Sequence, residues 1–344
     1  MKAVYFQNGE VHVGDVPEPT PGKGQALVRT HSCGLCASDQ HYLHSGRTLI
    51  EMSRRFGGSY ASLDFDQPVV PGHEFVGEII DYGPRSNRPV KSGRRVTSVP
   101  IMRVGGSREV VGHSHVCPGG FGELMLLDEN FLLEIPDAVP DSHASLIEPV
   151  AVGLEHARRS NPTRDDTALV IGCGAIGLGV VVGLSLLGIA PIVVADFHPK
   201  RRDQAIRAGA HVAIDPRETS PYAPLPSFGG RQPNLIYECV GKPGMLQQII
   251  GDAPFDGRIV MGGYCMEGEE VFVFSAQNKR LNIQFAAGEE PQDMELALRA
   301  IADGKVDSDD WLAPTIGLSG VADALEAMSS ADAPVRTVVD PRRA

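Results

Sequence analysis

Val170-Ile171-Gly172-Cys173-Gly174-Ala175-Ile176-Gly177 decides the fold of half of this chain, because it reads as a glycine turn set between a strand and a helix. Ala168 to Ile171 is apolar and β-branched, like a buried parallel strand, and Leu178 to Gly188 is long enough to be the helix that packs back on it. Gly172 permits the tight turn, Gly174 lets the backbone approach a pyrophosphate, and Gly177 allows close helix–strand contact. Ala175 and Ile176, within the turn, are cofactor-binding candidates too, while the helix N-terminus supplies amide donors and a favourable dipole for the phosphates. Pro191 to Ala195 reads as a second strand and delivers Asp196 roughly 20 residues beyond the glycines, where a ribose-binding carboxylate is expected. A glycine turn alone is weak evidence; strand, turn, helix, strand and acid in this order make the dinucleotide reading specific. The cofactor predicted is NAD, since Asp196 accepts hydrogen bonds from a ribose 2′-hydroxyl and repels a 2′-phosphate. Lys200, Arg201 and Arg202 follow closely and weaken the exclusion of NADP, although a solvated first helical turn also accounts for them. Arg201 and Val240 complete the cofactor-binding candidates.

Composition bounds the rest. With 344 residues, 42% of them hydrophobic, the chain can bury a substantial core and is expected to hold two domains. Its 43 acidic residues outnumber 31 basic ones, giving a charge of −12 that argues against a nucleic-acid or anionic-membrane partner. Met1 to Val13 alternates like a strand and lacks the regions of a signal peptide, so a cytoplasmic location is expected. Leu178 to Ala195 is the one membrane-span suspect, and its glycines and Pro191 divide it into a helix and a strand.

Six cysteines, at 33, 36, 117, 173, 239 and 265, are too few and scattered for a disulfide framework. Cys33-Gly34-Leu35-Cys36 has no second CxxC to complete a four-cysteine zinc site. Other partners suit it better: His73 and Glu74 in Pro71-Gly72-His73-Glu74-Phe75-Val76-Gly77, and Glu148 in Ile147-Glu148-Pro149. Thiolate, imidazole and carboxylate make a plausible catalytic zinc shell with a position left open.

At these residues the chain resembles the zinc-dependent medium-chain dehydrogenase/reductase family, which includes the alcohol, sorbitol and threonine dehydrogenases. Cys33-Gly34-Leu35-Cys36-Ala37-Ser38-Asp39 is similar to the first zinc-ligand segment, Gly72-His73-Glu74 to the second, and Glu148-Pro149 to the third segment of the polyol and threonine branches. Gly120-Phe121-Gly122-Glu123, Glu238-Cys239-Val240-Gly241 and Gly257-Arg258-Ile259-Val260 match further stretches in order. The resemblance implies an α/β architecture: a GroES-like, β-rich catalytic domain (1–151), a Rossmann doubly wound parallel sheet (152–287), and a C-terminal segment (288–344) that completes the catalytic domain. The pattern agrees, with short alternating strands first and strands alternating with helices from 168 to 287. Asp293 to Asp303 and Val321 to Met328 read as helices and Val335 to Val339 as the final strand.

By the same resemblance, Cys36, His73 and Glu148 are zinc-ligand candidates, with Glu74 a fourth or exchanging ligand; which glutamate coordinates stays open. Asp39 matches an acid that orients a ligand imidazole. Ser38 and His41 match a proton relay, in which the hydroxyl takes the alcohol proton and the histidine passes it to solvent while hydride leaves to the nicotinamide. The remaining histidines, His44 and His113 among them, carry no such support.

Two departures matter. Many zinc members carry a lobe with four close cysteines that binds a structural zinc, whereas Asp81 to Gly120 holds only Cys117, so one catalytic zinc per chain and no structural zinc are expected. Gly46 to Pro68 looks like an inserted loop, read as a lid over the substrate or a subunit contact. Arg47, Arg54 and Arg55 would face an anionic or polyhydroxylated substrate, with Phe56 and Tyr60 as an apolar wall. The leading expectation is a homodimeric or homotetrameric NAD-dependent zinc dehydrogenase that reversibly oxidises a secondary alcohol or polyol, its small-molecule substrate, to the carbonyl. The alternatives are a zinc-free reductase of an activated alkene or quinone and a non-catalytic nucleotide-binding protein.

Overall fold

A computed structural model describes residues 1–330 and 333–343. It divides into two compact units, Met1–Glu148 with Trp311–Ala344, and Pro149–Asp310. The division falls after Glu148, and the return to the first unit comes at Trp311, where sequence reading expected 152 and 288. The helix beyond 288 carries an apolar face, Met294, Ala297, Leu298 and Ile301, which is buried within the second unit.

The first unit is built from β1 (Lys2–Gln7), β2 (Glu10–Asp15), β3 (Gln25–Gly34), α1 (Ala37–Phe56), β4 (Glu74–Tyr82), β5 (Arg95–Ser98), β6 (Ile101–Val104), β7 (Ser107–Val110), β8 (Leu124–Asp128), β9 (Leu132–Glu134) and α2 (Asp141–Ala144). α3 (Ile147–Arg159) leads into the second unit, formed by β10 (Ala168–Ile171), α4 (Ala175–Leu186), β11 (Ile192–Ala195), α5 (Pro199–Arg207), β12 (Val212–Ile214), β13 (Leu235–Glu238), α6 (Met245–Asp252), β14 (Arg258–Met261), α7 (Val273–Asn278), β15 (Asn282–Phe285) and α8 (Pro291–Ala302). α9 (Ser308–Trp311), α10 (Val321–Ala327) and β16 (Val338–Val339) follow. Among the described residues, no helix is long and apolar enough to cross a membrane.

The second unit carries a parallel sheet in the order β12-β11-β10-β13-β14-β15. That is the doubly wound arrangement whose ligand crevice lies at the carboxyl ends of the first strands, where the order reverses. β10 occupies the span read from the sequence. In the first unit, β3 is the centre: it pairs antiparallel with β4, β8 and β16. The C-terminal strand is thereby hydrogen-bonded beside Cys33 and Gly34. It is shorter than the Val335–Val339 expected.

Two local readings change. The first 13 residues are a hairpin, not one strand, because Asn8 and Gly9 both adopt positive φ (55° and 79°) and turn the chain between β1 and β2; this is the Asn-Gly hairpin turn. The segment from Gly46 is not a loop at its start. α1 runs on to Phe56, past a kink at Ser45, and buries Tyr42, Leu43, Gly46, Leu49, Ile50 and Ser53 along one face at helical spacing. Beyond Phe56 the chain folds back. Arg47 pairs with Asp66 at 2.6 Å, and Arg54 donates to the carbonyls of Ala61 and Leu63 at 3.1 and 2.7 Å. Two of the three arginines expected to meet a substrate are thus held within the segment itself, and Phe56 is exposed while Tyr60 is buried.

Candidate functional site

In the second unit, the β10–α4 turn takes the geometry its glycines imply. Gly172 has φ 88°, and a Cβ there would meet Val240 Cγ2 at 2.7 Å. A Cβ at Gly177 would collide with the Gly172 carbonyl oxygen, so the turn and the first helical turn fit only without side chains. Gly174 is the N-cap of α4, followed by Ala175 and Ile176, which leaves the helix amides directed at the crevice. Asp196 ends β11. Its Oδ2 accepts from the Cys173 amide and its Oδ1 from the His198 amide, both at 2.8 Å, which fixes the carboxylate beside the glycine turn. Arg201 Nη1 donates to the Cys173 carbonyl at 3.4 Å, and Val240 lies on the β13 side of the same turn, its amide donating to Glu238. Turn, helix N-terminus and carboxylate fit a dinucleotide.

In the first unit, the donors come from the adjoining ends of two paired strands, β3 and β4. Cys36 is the N-cap residue of α1, immediately after β3, and His73 and Glu74 enter β4, whose Glu74 pairs in register with Gly34. Antiparallel pairing therefore brings Cys36 and His73 together although 36 residues separate them in number. The ligand atoms of Cys36, His73 and Glu74 all lie within 4.8 Å of one another. Glu148, buried near the start of α3, stands outside that set but acts electrostatically on His73.

Asp39 sits one turn into α1, fully buried. Its Oδ2 accepts from the Cys36 amide at 2.9 Å, which closes the helix start, while Oδ1 faces His73 Nδ1 at 3.8 Å. Burial raises its pKa to about 6, against the opposing pull of His73. Burial alone would depress His73, but Cys36, then Asp39 and Glu148, hold its pKa well above the ordinary value. Ser38 Oγ lies 3.5 Å from His73 Nε2, on the opposite side of the ring from Asp39. His41 follows Ser38 by three residues, the spacing that puts both on one face of α1. Burial, and then His44, lower the pKa of His41.

Two residues that sequence reading did not single out complete the site. Arg336, 5% exposed, holds Glu74 through Nη2–Oε1 at 2.9 Å and donates to the Leu35 carbonyl at 2.9 Å. His113, read as unsupported, is buried beside His73, with ring centroids 5.2 Å apart and its Nε2 3.7 Å from Asp39 Oδ1. Burial and His73 push its pKa down to about 3, so it is neutral at working pH. Tyr60 packs on His113 at 5.3 Å and on Tyr42 at 6.1 Å, so the inserted segment does reach the second ring from His73. No local pattern marks Arg336 or His113.

The donor set fits a zinc ion. His73 Nδ1, Asp39 Oδ1 and Glu74 Oε2 are buried without a hydrogen-bond partner, and a thiol, an imidazole and carboxyls converge there. An excess of buried anionic groups around an imidazole is relieved by a bound cation. Among the described residues, the other group of three metal-binding side chains, Asp39, His73 and His113, shares His73 with the first.

A doubly wound nucleotide-binding unit together with a thiol–imidazole–carboxyl cluster on a β-rich unit defines a metal- and dinucleotide-dependent oxidoreductase. Residues 22–137 match the alcohol dehydrogenase GroES-like domain, and residues 175–303 match the zinc-binding dehydrogenase domain. The chain is 30% identical over 281 residues to (R,R)-butanediol dehydrogenase of Bacillus subtilis, covering 79% of this chain and 80% of that protein. An Escherichia coli alcohol dehydrogenase structure complexed with NADH matches with TM-score 0.79 and 25% identity, covering 99% of both chains. A zinc-binding dehydrogenase from Sinorhizobium meliloti bound to NADP matches with TM-score 0.82 and 25% identity, again covering 99% of both. The chain belongs to the zinc-dependent medium-chain dehydrogenase family and is an oxidoreductase of the alcohol and polyol class.

Proposed function

We propose that this protein is an NAD-dependent dehydrogenase with one catalytic zinc and no structural zinc per chain, reversibly oxidising a secondary alcohol or polyol. The observation that carries the reading is the convergence of Cys36, His73 and Glu74 at the head of α1, the helix that also presents Ser38 and His41. Cys36, His73 and Glu148 would hold the ion. Glu74, already paired with the buried Arg336, is the weaker ligand and suits an exchanging role. Zinc bound there supplies Lewis acidity toward the substrate oxygen. Ser38 accepts the alcohol proton and His41 carries it toward solvent. Asp39 Oδ1, 3.8 Å from His73 Nδ1, is placed to orient the ring electrostatically, which would leave Nε2 for the ion. The experiment is an alcohol and polyol panel run with NAD and with NADP, following formation of the reduced coenzyme. No turnover with any substrate by zinc-replete protein overturns the reading.

If Ser38 is the first proton acceptor, Ser38→Ala lowers turnover by roughly 10²-fold or more, the usual scale for lost acid–base catalysis. Unchanged turnover removes the relay. The outer member is tested through pH. His41 accepts a proton only when neutral, and its lowered pKa keeps it neutral until pH falls below histidine's ordinary 6.5. The acid limb of kcat/KM is therefore expected below that value, and His44→Ala, which removes the electrostatic part of the lowering, should move the limb to higher pH. A limb that stays in place in both His44→Ala and His41→Gln assigns it to another group.

Asp196 supports the choice of NAD. Asp196→Ala is expected to weaken NADH binding and relax discrimination against NADPH; an unchanged ratio of the two affinities would refute its role.

Association into a homodimer or homotetramer is supported by β15, the last strand of the sheet, whose Phe285 is 71% exposed, and by the exposed Phe272 and Phe274, whose ring centroids lie 6.1 Å apart. An open apolar edge is ordinarily covered, and a second copy is the occupant we infer. A monomeric mass in solution would dismiss it. All six cysteines are unpaired, which supports a reducing, cytoplasmic location.

A further inference from the structure

Asp196 and Asp215 stand side by side, each one residue past the end of its strand. β11 and β12 are parallel with Ala195 in register with Ile214, and the Asp196 amide donates to the Ile214 carbonyl at 3.2 Å. The two carboxylates have different partners. Asp196 faces the glycine turn through the Cys173 and His198 amides. Asp215 faces two arginines that would otherwise be directed at the same place.

Arg202 Nη1 lies 2.8 Å from the Asp196 carbonyl, 3.1 Å from the Phe197 carbonyl and 3.2 Å from Asp215 Oδ2. Arg217 forms a fork on Asp215: Nε donates to Oδ1 at 2.8 Å and Nη2 to Oδ2, while Nη2 also reaches the Phe197 carbonyl at 2.9 Å. Its guanidinium lies over the Phe197 ring, 5.3 Å from the centroid. Arg202 is thus hydrogen-bonded to the backbone at Asp196 and Phe197 and Arg217 to that at Phe197, the residues at which the ribose 2′ position is expected. Arginine forks are the groups best suited to bind a phosphate there. Here one carboxylate occupies them.

We propose that Asp215 is a coenzyme-specificity residue: by holding Arg202 and Arg217, it withholds them from a 2′-phosphate and keeps the site selective for NAD. The inference rests on the reading of Asp196 as the ribose-binding acid. Asp196 supplies the repulsion, and Asp215 removes the attraction that two adjacent arginines would otherwise offer. With both acids present, their charges balance those of Arg202 and Arg217. Losing the Asp215 charge leaves a net positive charge facing a phosphate that carries close to two negative ones.

Dissociation constants of NADH and NADPH, read by coenzyme fluorescence, test this without knowledge of the alcohol substrate. In Asp215→Asn the ratio Kd(NADPH)/Kd(NADH) should fall by about tenfold, the scale of one charge-assisted hydrogen bond regained. Adding Arg217→Ala to that variant should remove most of the gain. Arg217→Ala alone, at a side chain 62% exposed and so safe for folding, should not weaken NADPH binding, because its charge is already taken up by Asp215. A folded Asp215→Asn whose ratio moves by less than about twofold overturns the proposal. So does a several-fold loss of NADPH affinity in Arg217→Ala alone, which decides the matter even if Asp215→Asn does not fold. A parent that binds NADPH as tightly as NADH overturns the Asp196 reading and this premise together, whereas an NADH-selective parent with an unresponsive Asp215→Asn overturns this inference alone.

Discussion

Cys36→Ser is expected to lower bound zinc from about one ion per chain to a small fraction of that, and to abolish dehydrogenase activity with it. Loss of a residue that merely supports a ligand typically costs 10–100-fold in metal affinity, and loss of the ligand itself should cost more than about 100-fold. Serine keeps the volume at the N-cap of α1 but does not ionise at working pH. NADH binding should survive, because Gly172, Gly177, Asp196 and Val240 belong to the second unit while Cys36 belongs to the first. Metal analysis and a coenzyme titration on the same sample decide it. Two tightly held ions per chain in the parent would contradict the single-zinc reading, and full zinc in Cys36→Ser would remove Cys36 from the shell.

Arg336→Met should be strongly destabilising. Glu74 is fully buried and Arg336 5% exposed, so removing the guanidinium leaves an uncompensated carboxylate inside the first unit. Breaking a buried pair in this way costs about 3–5 kcal/mol, whereas replacing both partners costs far less. Thermal unfolding of the zinc- and coenzyme-loaded protein should therefore show a large drop for Arg336→Met, and much of it should be regained in Glu74→Gln with Arg336→Met. The Leu35 carbonyl, which also accepts from Arg336, lies one residue before Cys36, so the single variant should lose zinc more readily as well. Equal melting temperatures for parent and Arg336→Met would show that the pair carries no stability.

The coenzyme site was legible because it is nearly continuous. β10, its turn and the start of α4 occupy neighbouring residues, each glycine answers a local steric demand, and Asp196 follows one strand later. The hairpin at Asn8-Gly9 and the helical spacing of Tyr42, Leu43, Gly46, Leu49, Ile50 and Ser53 were equally local signals, and attention to them would have replaced the single strand and the inserted loop with the observed elements. His113 and Arg336 are of another kind. A lone histidine among eleven, or one arginine near the C-terminus, has no neighbour in the sequence that announces its partner.

By itself, then, the sequence determined the β-α-β nucleotide unit and the acid one residue beyond its second strand, and it named candidate zinc-binding residues, because those follow from short-range periodicity, backbone sterics and ligand chemistry. Only the tertiary structure decided which of them meet. Pairing of β3 with β4 sets Cys36 against His73, pairing of β16 with β3 returns the C-terminal chain that carries Arg336 to Glu74, and the fold-back after α1 stacks Tyr60 on His113. The register of β11 with β12 likewise places Asp215 beside Asp196 and gives two arginines a partner. The physical reason is that strand register and the burial of charge are settled by long-range pairing, where the energy of a contact depends on what the rest of the chain brings to it.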